Sequence, residues 1–265
     1  MKKSILFLAA FAVSCTNFTF VHMSDTQIGF IDPSPVCAKT DSLMKLAAEK
    51  VNELKPELVF NTGDLINEPY SHLQDSIYRV RKADFNAPVW EVPGNHDVMG
   101  YTKESMANYL SLRGYNRFSF KKKGCTFIGI DSNCIKDDAA DAEADQLDWL
   151  QGQLKQAAGS RFIFVFLHCP IIRESIDEPE DYFNFPVQKR RQYIDLFKDA
   201  GVSAVFAGHC HRTITCEYDG IRFYTAGPVG SPLGDGYSGF NLISVNRKGF
   251  EVEYLPTSQT TPKTH

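Results

Sequence analysis

Five short apolar runs constrain this chain more than any other feature, because each leads into a residue able to bind a metal ion. The runs are Phe18–Met23, 57–60, 88–92, 161–167 and 202–207. They are rich in aromatic and β-branched residues and read as strands. Their exits carry Asp25, Asp64, Asn95, His168 and His209, with His211 two residues further on. Between them lie helical patterns. Leu43, Leu46, Ala47, Val51 and Leu54 share one face of a helix over 42–54, with Thr40 or Asp41 as its cap and Pro56 as its stop. Further helices are expected over 72–82, over 103–110 behind a Thr102 cap, from the acidic stretch 137–145 onward, and over 187–199. Strand–helix alternation implies a largely parallel sheet, and in such sheets the carboxyl ends of the strands build the ligand crevice. The remaining pattern is β: hairpins over 118–121/125–130 and 213–218/221–226, the second turning at Asp219-Gly220, then strands over 239–245 and 250–254.

The stretch Pro93-Gly94-Asn95-His96-Asp97 concentrates an amide, an imidazole and a carboxylate on what reads as a loop after the third strand. Alone it would be a turn, for which these residue types are usual. Asp25, Asp64 and His168 have equally plain explanations singly, as a turn residue, a helix cap and a buried hydrogen-bonded ring. Six donors at five strand exits do not. Carboxylates, imidazoles and one amide oxygen suit Zn, Fe or Mn better than Ca or Mg, which favour all-oxygen shells. The donors outnumber the needs of one ion. Two ions sharing a carboxylate form the arrangement used for in-line attack on phosphorus.

In order and spacing, Asp25-x-Gln27, Gly63-Asp64, Gly94-Asn95-His96-Asp97, His168 and Gly208-His209-x-His211 resemble the five motifs of the calcineurin-like metallophosphoesterases. Ser24-Asp25-x-Gln27, and Asp181-Tyr182-Phe183-Asn184 ahead of Arg190, are most similar to the calcineurin-like phosphoesterase domain-containing group, which includes a serine/threonine phosphatase. The resemblance implies a four-layer αββα sandwich: two mixed sheets flanked by helices. It also implies two metal ions (Mn, Zn or Fe), one held by Asp25, Asp64 and His211, the other by Asp64, Asn95, His168 and His209. Gln27 stands where the superfamily usually has His; as a direct ligand or as a contact to bound water, it stays open. The implied chemistry is hydrolysis of phosphomonoesters, phosphoserine and phosphothreonine included, by a metal-bridging hydroxide. His96 would assist the leaving group, and Asp97 would orient the His96 ring through its other nitrogen. Phosphodiester hydrolysis is the alternative, since Gly-Asn-His-Asp serves both, and a non-catalytic envelope binding protein on the same scaffold is a second.

Arg173, Tyr182, Asn184 and Arg212 lie near these exits and are the candidate substrate contacts. His22 and Cys210 read as core residues. The net charge of −4 offers no basic footprint, which excludes nucleic acid as a structural partner. The resemblance implies a phosphorylated small molecule or phosphoprotein as substrate. Basic Lys2-Lys3, an apolar run over 5–13 too short to span a bilayer, and Ala12-Val13-Ser14-Cys15 resemble a bacterial lipoprotein leader. That divides the chain into a leader over 1–14 and a single domain over 15–265, membrane-attached at the cell envelope through a lipidated Cys15; unprocessed, the protein would be cytoplasmic. Six further cysteines without a CxxC pair suggest neither a zinc knuckle nor a thioredoxin-like motif.

Overall fold

A computed structural model describes residues 17–234 and 236–257. The expectations for the leader and for Cys15 lie outside the described residues. Two mixed sheets face each other. The first has the strand order β11 (Phe250–Pro256), β10 (Gly239–Val245), β1 (Phe18–Met23), β2 (Leu58–Asn61), β3 (Val89–Glu91). The second runs β4 (Phe118–Lys122), β5 (Cys125–Gly129), β6 (Phe162–Phe166), β7 (Ala204–Ala207), β9 (Ile221–Thr225), β8 (Ile214–Tyr218). Within each sheet the inner strands are parallel: β1, β2 and β3 in one, and β5, β6, β7 and β9 in the other. Antiparallel β10 and β11 close the first sheet, and β4 and β8 the second. The largely parallel sheet expected from the alternation is therefore two sheets, each with antiparallel edges. All five metal-donor exits follow parallel strands, so within each sheet they leave from one edge.

Period-two alternation builds the layers. Phe18 and Phe20 of β1, Phe60 of β2, Phe127 of β5, Phe164 and Phe166 of β6 and Phe206 of β7 fill the space between the sheets. Phe60 stacks on Phe166 with ring centroids 4.0 Å apart, and Phe20 meets Phe127, Phe164 and Phe206 at 5.3–5.9 Å. The alternate aliphatic residues face outward. Val21, Met23 and Val59 pack with Met44, Ala47 and Val51 of α1 (Ala38–Leu54) and with Tyr78 of α2 (His72–Ala83). Ile163, Val165 and Val205 pack with Leu150 and Leu154 of α6 (Ala140–Gln156) and with Ile194 and Phe197 of α7 (Val187–Ala200). The four-layer αββα sandwich follows from this two-sided division of apolar residues.

Two local expectations need correction. α1 begins at Ala38 rather than 42: Thr40 lies in its first turn, and the Asp32 carboxylate accepts from Thr40 N (2.8 Å), so an upstream side chain does the capping. Asn95–Val98 is a short helix, α3, rather than a loop, because Asp97 Oδ2 accepts from Gly94 N (2.8 Å) and closes its first turn. A second short helix, α5 (Asn133–Lys136), carries no apolar repeat long enough to read. The helix after α3, α4 (Lys103–Arg113), does use the Thr102 cap, with Thr102 Oγ1 accepting from Ser105 N (3.0 Å). Among the described residues, Cys37, Cys125, Cys134, Cys169, Cys210 and Cys216 form no disulfides with one another. His22 is a core residue, its Nε2 3.0 Å from Thr62 Oγ1, and burial pushes its pKa down to about 3.

Candidate metal centre

Backbone shape comes first at this site. Asp25, Gln27, Asp64, His209 and His211 all hold φ between 35° and 68°, the left-handed region that side chains other than glycine rarely enter. Such strain persists only where surrounding structure over-determines it, and it concentrates at functional sites. Glycines let the exits approach one another. A Cβ on Gly94 would lie 2.1 Å from Asp64 N, and one on Gly208 1.7 Å from Ser24 Oγ. Side chains at either position would push apart the strand exits that bring the donors together.

Two donor groups result. Asp64, His168 and His209 offer ligand atoms within 4.8 Å of one another; so do Asp25, Asp64 and His211. Asp64 belongs to both. In the first group Asn95 joins: His168 Nε2 lies 2.9 Å from Asn95 Oδ1, 3.2 Å from His209 Nδ1 and 3.4 Å from Asp64 Oδ2. Donor atoms bound at about 2.1 Å to one ion are about 3.0 Å apart in an octahedron and about 3.4 Å apart in a tetrahedron. The observed separations match that range, so the residues present fit a metal ion. In the second group His211 Nε2 is 3.4 Å from Asp25 Oδ1. Gln27 Oε1 is buried without a hydrogen-bond partner, while its Nε2 donates to Asn67 Oδ1 at 3.4 Å. An orphaned buried acceptor is costly unless something supplies a positive partner.

Each imidazole is anchored by its other nitrogen. His168 Nδ1 meets Thr62 O (2.8 Å), His209 Nε2 meets Tyr182 O (3.0 Å) and His211 Nδ1 meets Ser231 O (3.0 Å). A carbonyl only accepts, so that nitrogen carries the proton and the remaining one keeps its lone pair for a metal. Charge is balanced inside the cluster meanwhile. Burial opposes a charged His168, but the adjacent Asp64 outweighs it and raises the pKa to about 9, so an ion taken up at Nε2 would displace a proton. Burial likewise opposes the Asp64 carboxylate, yet His168 holds it well below the usual range. Burial, with His168 beside it, lowers His209 to about 3.

His96 and Asp97 divide differently from expectation. His96 N donates to Asp64 Oδ1 (2.8 Å), and its ring Nδ1 lies 3.1 Å from the Asn67 carbonyl. Asp97 therefore does not orient that ring. Its carboxylate accepts from Leu65 N (3.0 Å), Ile66 N (3.3 Å) and Gly94 N (2.8 Å), and so ties the Asp64 exit to the Asn95 helix. Burial and the Asp64 charge raise Asp97 to about 7. Backbone amides took the partner that the adjacent imidazole was expected to have.

The four candidate substrate contacts separate too. Tyr182 reaches the centre: its hydroxyl accepts from Asn95 Nδ2 (2.9 Å) and its ring lies 4.7 Å from that of His209. Asn184 is fully buried, donating to Glu178 Oε1 and Pro179 O and accepting from Asp181 N. Arg173 is held by Asp181 (2.7 Å) and Glu178. Both fasten a loop, and neither is free for substrate. Arg212 is exposed, without a side-chain partner among the described residues. Sequence reasoning missed the Thr62, Asn67 and Ser231 carbonyls, because a backbone acceptor leaves no residue-type signal.

Residues 18–213 match the profile of the calcineurin-like phosphoesterases. The chain is 31% identical over 236 residues to the serine/threonine-protein phosphatase CPPED1 of Bos taurus, covering 83% of this chain and 75% of that one. With the Danio rerio protein of the same name it is 29% identical, over 93% and 87% of the two chains. The fold is similar to the crystal structure of a dimetal phosphatase from Danio rerio, with a TM-score of 0.65 and 15% identity, covering 91% of this chain and 99% of that one.

Proposed function

The chain belongs to the calcineurin-like phosphoesterases, hydrolases of phosphoric esters, and on that premise we propose that it is a dinuclear-metal phosphatase acting on phosphomonoesters, phosphoserine and phosphothreonine included. One observation carries the reading: a single carboxylate, Asp64, is common to both donor groups. Asp25, Asp64 and His211 would hold one ion, with Gln27 Oε1 at its edge; Asp64, Asn95, His168 and His209 would hold the other. When bound, the two ions supply Lewis-acid charge and an activated water.

The protein's own residues do the rest. Two divalent ions against Asp25 and Asp64 leave about two positive charges, which favours a phosphate dianion over a singly charged diester. The Asn67 carbonyl fixes the His96 proton on Nδ1 and leaves Nε2 to exchange a proton with the ester oxygen. Because His96 N is hydrogen-bonded to Asp64 Oδ1, the imidazole keeps its place relative to the shared carboxylate. Asp97 holds both exits in register through three backbone amides. The CPPED1 relatives, named as serine/threonine phosphatases, support a phosphoprotein among the substrates.

The test reconstitutes wild type and His96→Asn with Mn, Zn or Fe and compares a monoester, a diester and phosphopeptides. Wild type should prefer the monoester and phosphopeptides, and His96→Asn should lose about 10²–10⁴-fold in turnover at unchanged metal content. A diester preference would overturn the substrate reading, and undiminished turnover in His96→Asn would overturn the role of His96.

A further inference from the structure

The segment 173–185 between β6 and α7 has no regular secondary structure, yet it is fastened at many points. Arg190, fully buried, donates to the carbonyls of Phe185 (2.9 Å), Ile176 (3.1 Å), Glu178 (2.5 Å) and Pro179 (3.4 Å). Lys136 binds the carbonyls of Asp181 (3.1 Å) and Asn184 (2.5 Å). Glu178 accepts from Arg173 N (3.0 Å), Glu174 N (2.7 Å) and Asn184 Nδ2 (2.7 Å). So many tethers hold the position of whatever the loop carries at its tip.

That residue is Tyr182, 58% exposed beside a buried cluster. Asn95 gives it a direction. With Asn95 Oδ1 2.9 Å from His168 Nε2, the other end of the amide meets the phenol oxygen at 2.9 Å. That hydroxyl accepts from Asn95, and its own hydrogen has no acceptor among the described residues. The ring rests on one side near His209 (4.7 Å) and Phe183 (5.1 Å), and most of its remaining surface is open. A free donor and a free aromatic surface thus stand together at the edge of the first donor group.

We propose that Tyr182 sets substrate specificity: its hydroxyl donates to a phosphoryl oxygen of the bound ester, and its ring packs against the organic group on phosphorus. Aryl or similarly flat apolar groups are then favoured over small alkyl groups, since aromatic contact adds to area burial. This rests on the phosphoesterase reading above.

Phenylphosphonate and methylphosphonate, which are not hydrolysed, test it by calorimetric titration of the metal-loaded protein, with metal content measured for each variant. Wild type should bind phenylphosphonate about tenfold more tightly than methylphosphonate, a gain of about 1.4 kcal/mol. Tyr182→Phe should weaken both ligands about tenfold and keep their ratio; Tyr182→Ala should bring the ratio close to one. An unchanged ratio in Tyr182→Ala, or wild-type affinity in Tyr182→Phe, overturns the proposal. Metal loss in parallel with affinity also overturns it, by making Tyr182 a support for Asn95. Failure of wild type to bind either phosphonate overturns the phosphoesterase reading itself, and this inference with it.

Discussion

The two halves of the metal centre share Asp64 but are built differently. Around His168, four donor atoms from Asp64, Asn95, His168 and His209 lie 2.9–3.4 Å from His168 Nε2 or meet at it, with one carboxylate among them. The half around Asp25 has two carboxylates, one imidazole and the orphaned Gln27 Oε1. Asp25 is also engaged, accepting from His209 N at 3.0 Å, and burial raises its pKa, against the pull of His211. The comparison teaches that donor softness differs across one shared ligand. Two imidazoles suit a softer ion such as Zn, and a carboxylate-rich set suits a harder one such as Mn. The half that relies on the Gln27 amide oxygen in place of a second imidazole should release its ion first.

Removing Asp64 breaks the comparison outright. Asp64→Ala should lose both ions and at least about 10³-fold in activity, because two-metal stabilisation of the reacting oxygens disappears with them. Metal analysis by mass spectrometry beside turnover checks this; retention of two ions would show that Asp64 is not shared.

A smaller effect concerns what the first half stands on. Asn133 Nδ2 donates to Pro93 O (3.2 Å) and Gly94 O (3.3 Å), and Asp131 Oδ1 accepts from Asn133 N (2.8 Å) and from that same Nδ2 (2.9 Å). Burial raises Asp131 to about 7, against the hydrogen bonds from Asn133. A carboxyl raised in the folded state holds its proton more tightly there than in the unfolded chain. Its stabilisation is full below the unfolded pKa of about 3.9 and is lost as pH rises through about 7. Wild type should therefore lose on the order of 3 kcal/mol between pH 4 and pH 7 from this group, and Asp131→Asn should lack that component. Denaturant titrations of both proteins across this window measure it; parallel pH profiles would refute the assignment.

The smallest effect sharpens the comparison at the second half. Gln27→Ala removes the orphaned acceptor and should weaken one ion about tenfold, with the other unchanged, in a two-step chelator titration. Equal weakening of both ions, or of neither, would remove Gln27 from the centre.

Much of this molecule was legible in its residues. Alternation marked the strands, and the donors Asp25, Asp64, Asn95, His168, His209 and His211 could be picked out because polar residues at apolar strand exits demand an explanation. The loop residues Arg173 and Asn184 could not be told from Tyr182, since polarity near a site is the same signal for a fastener and for a contact. Asp97 beside His96 suggested a pair, but the chain turned its carboxylate toward Leu65, Ile66 and Gly94 amides instead.

By itself, then, the sequence determined which side chains could bind metal and which strand each would follow, because residue type and spacing set those locally. Only the tertiary structure decided that the inner parallel strands of two sheets bring their exits to one centre, with Asp64 in both donor groups. It also decided the anchoring of each imidazole on a backbone carbonyl. Those choices depend on packing between layers and on peptide groups that every residue carries, so no residue type announces them.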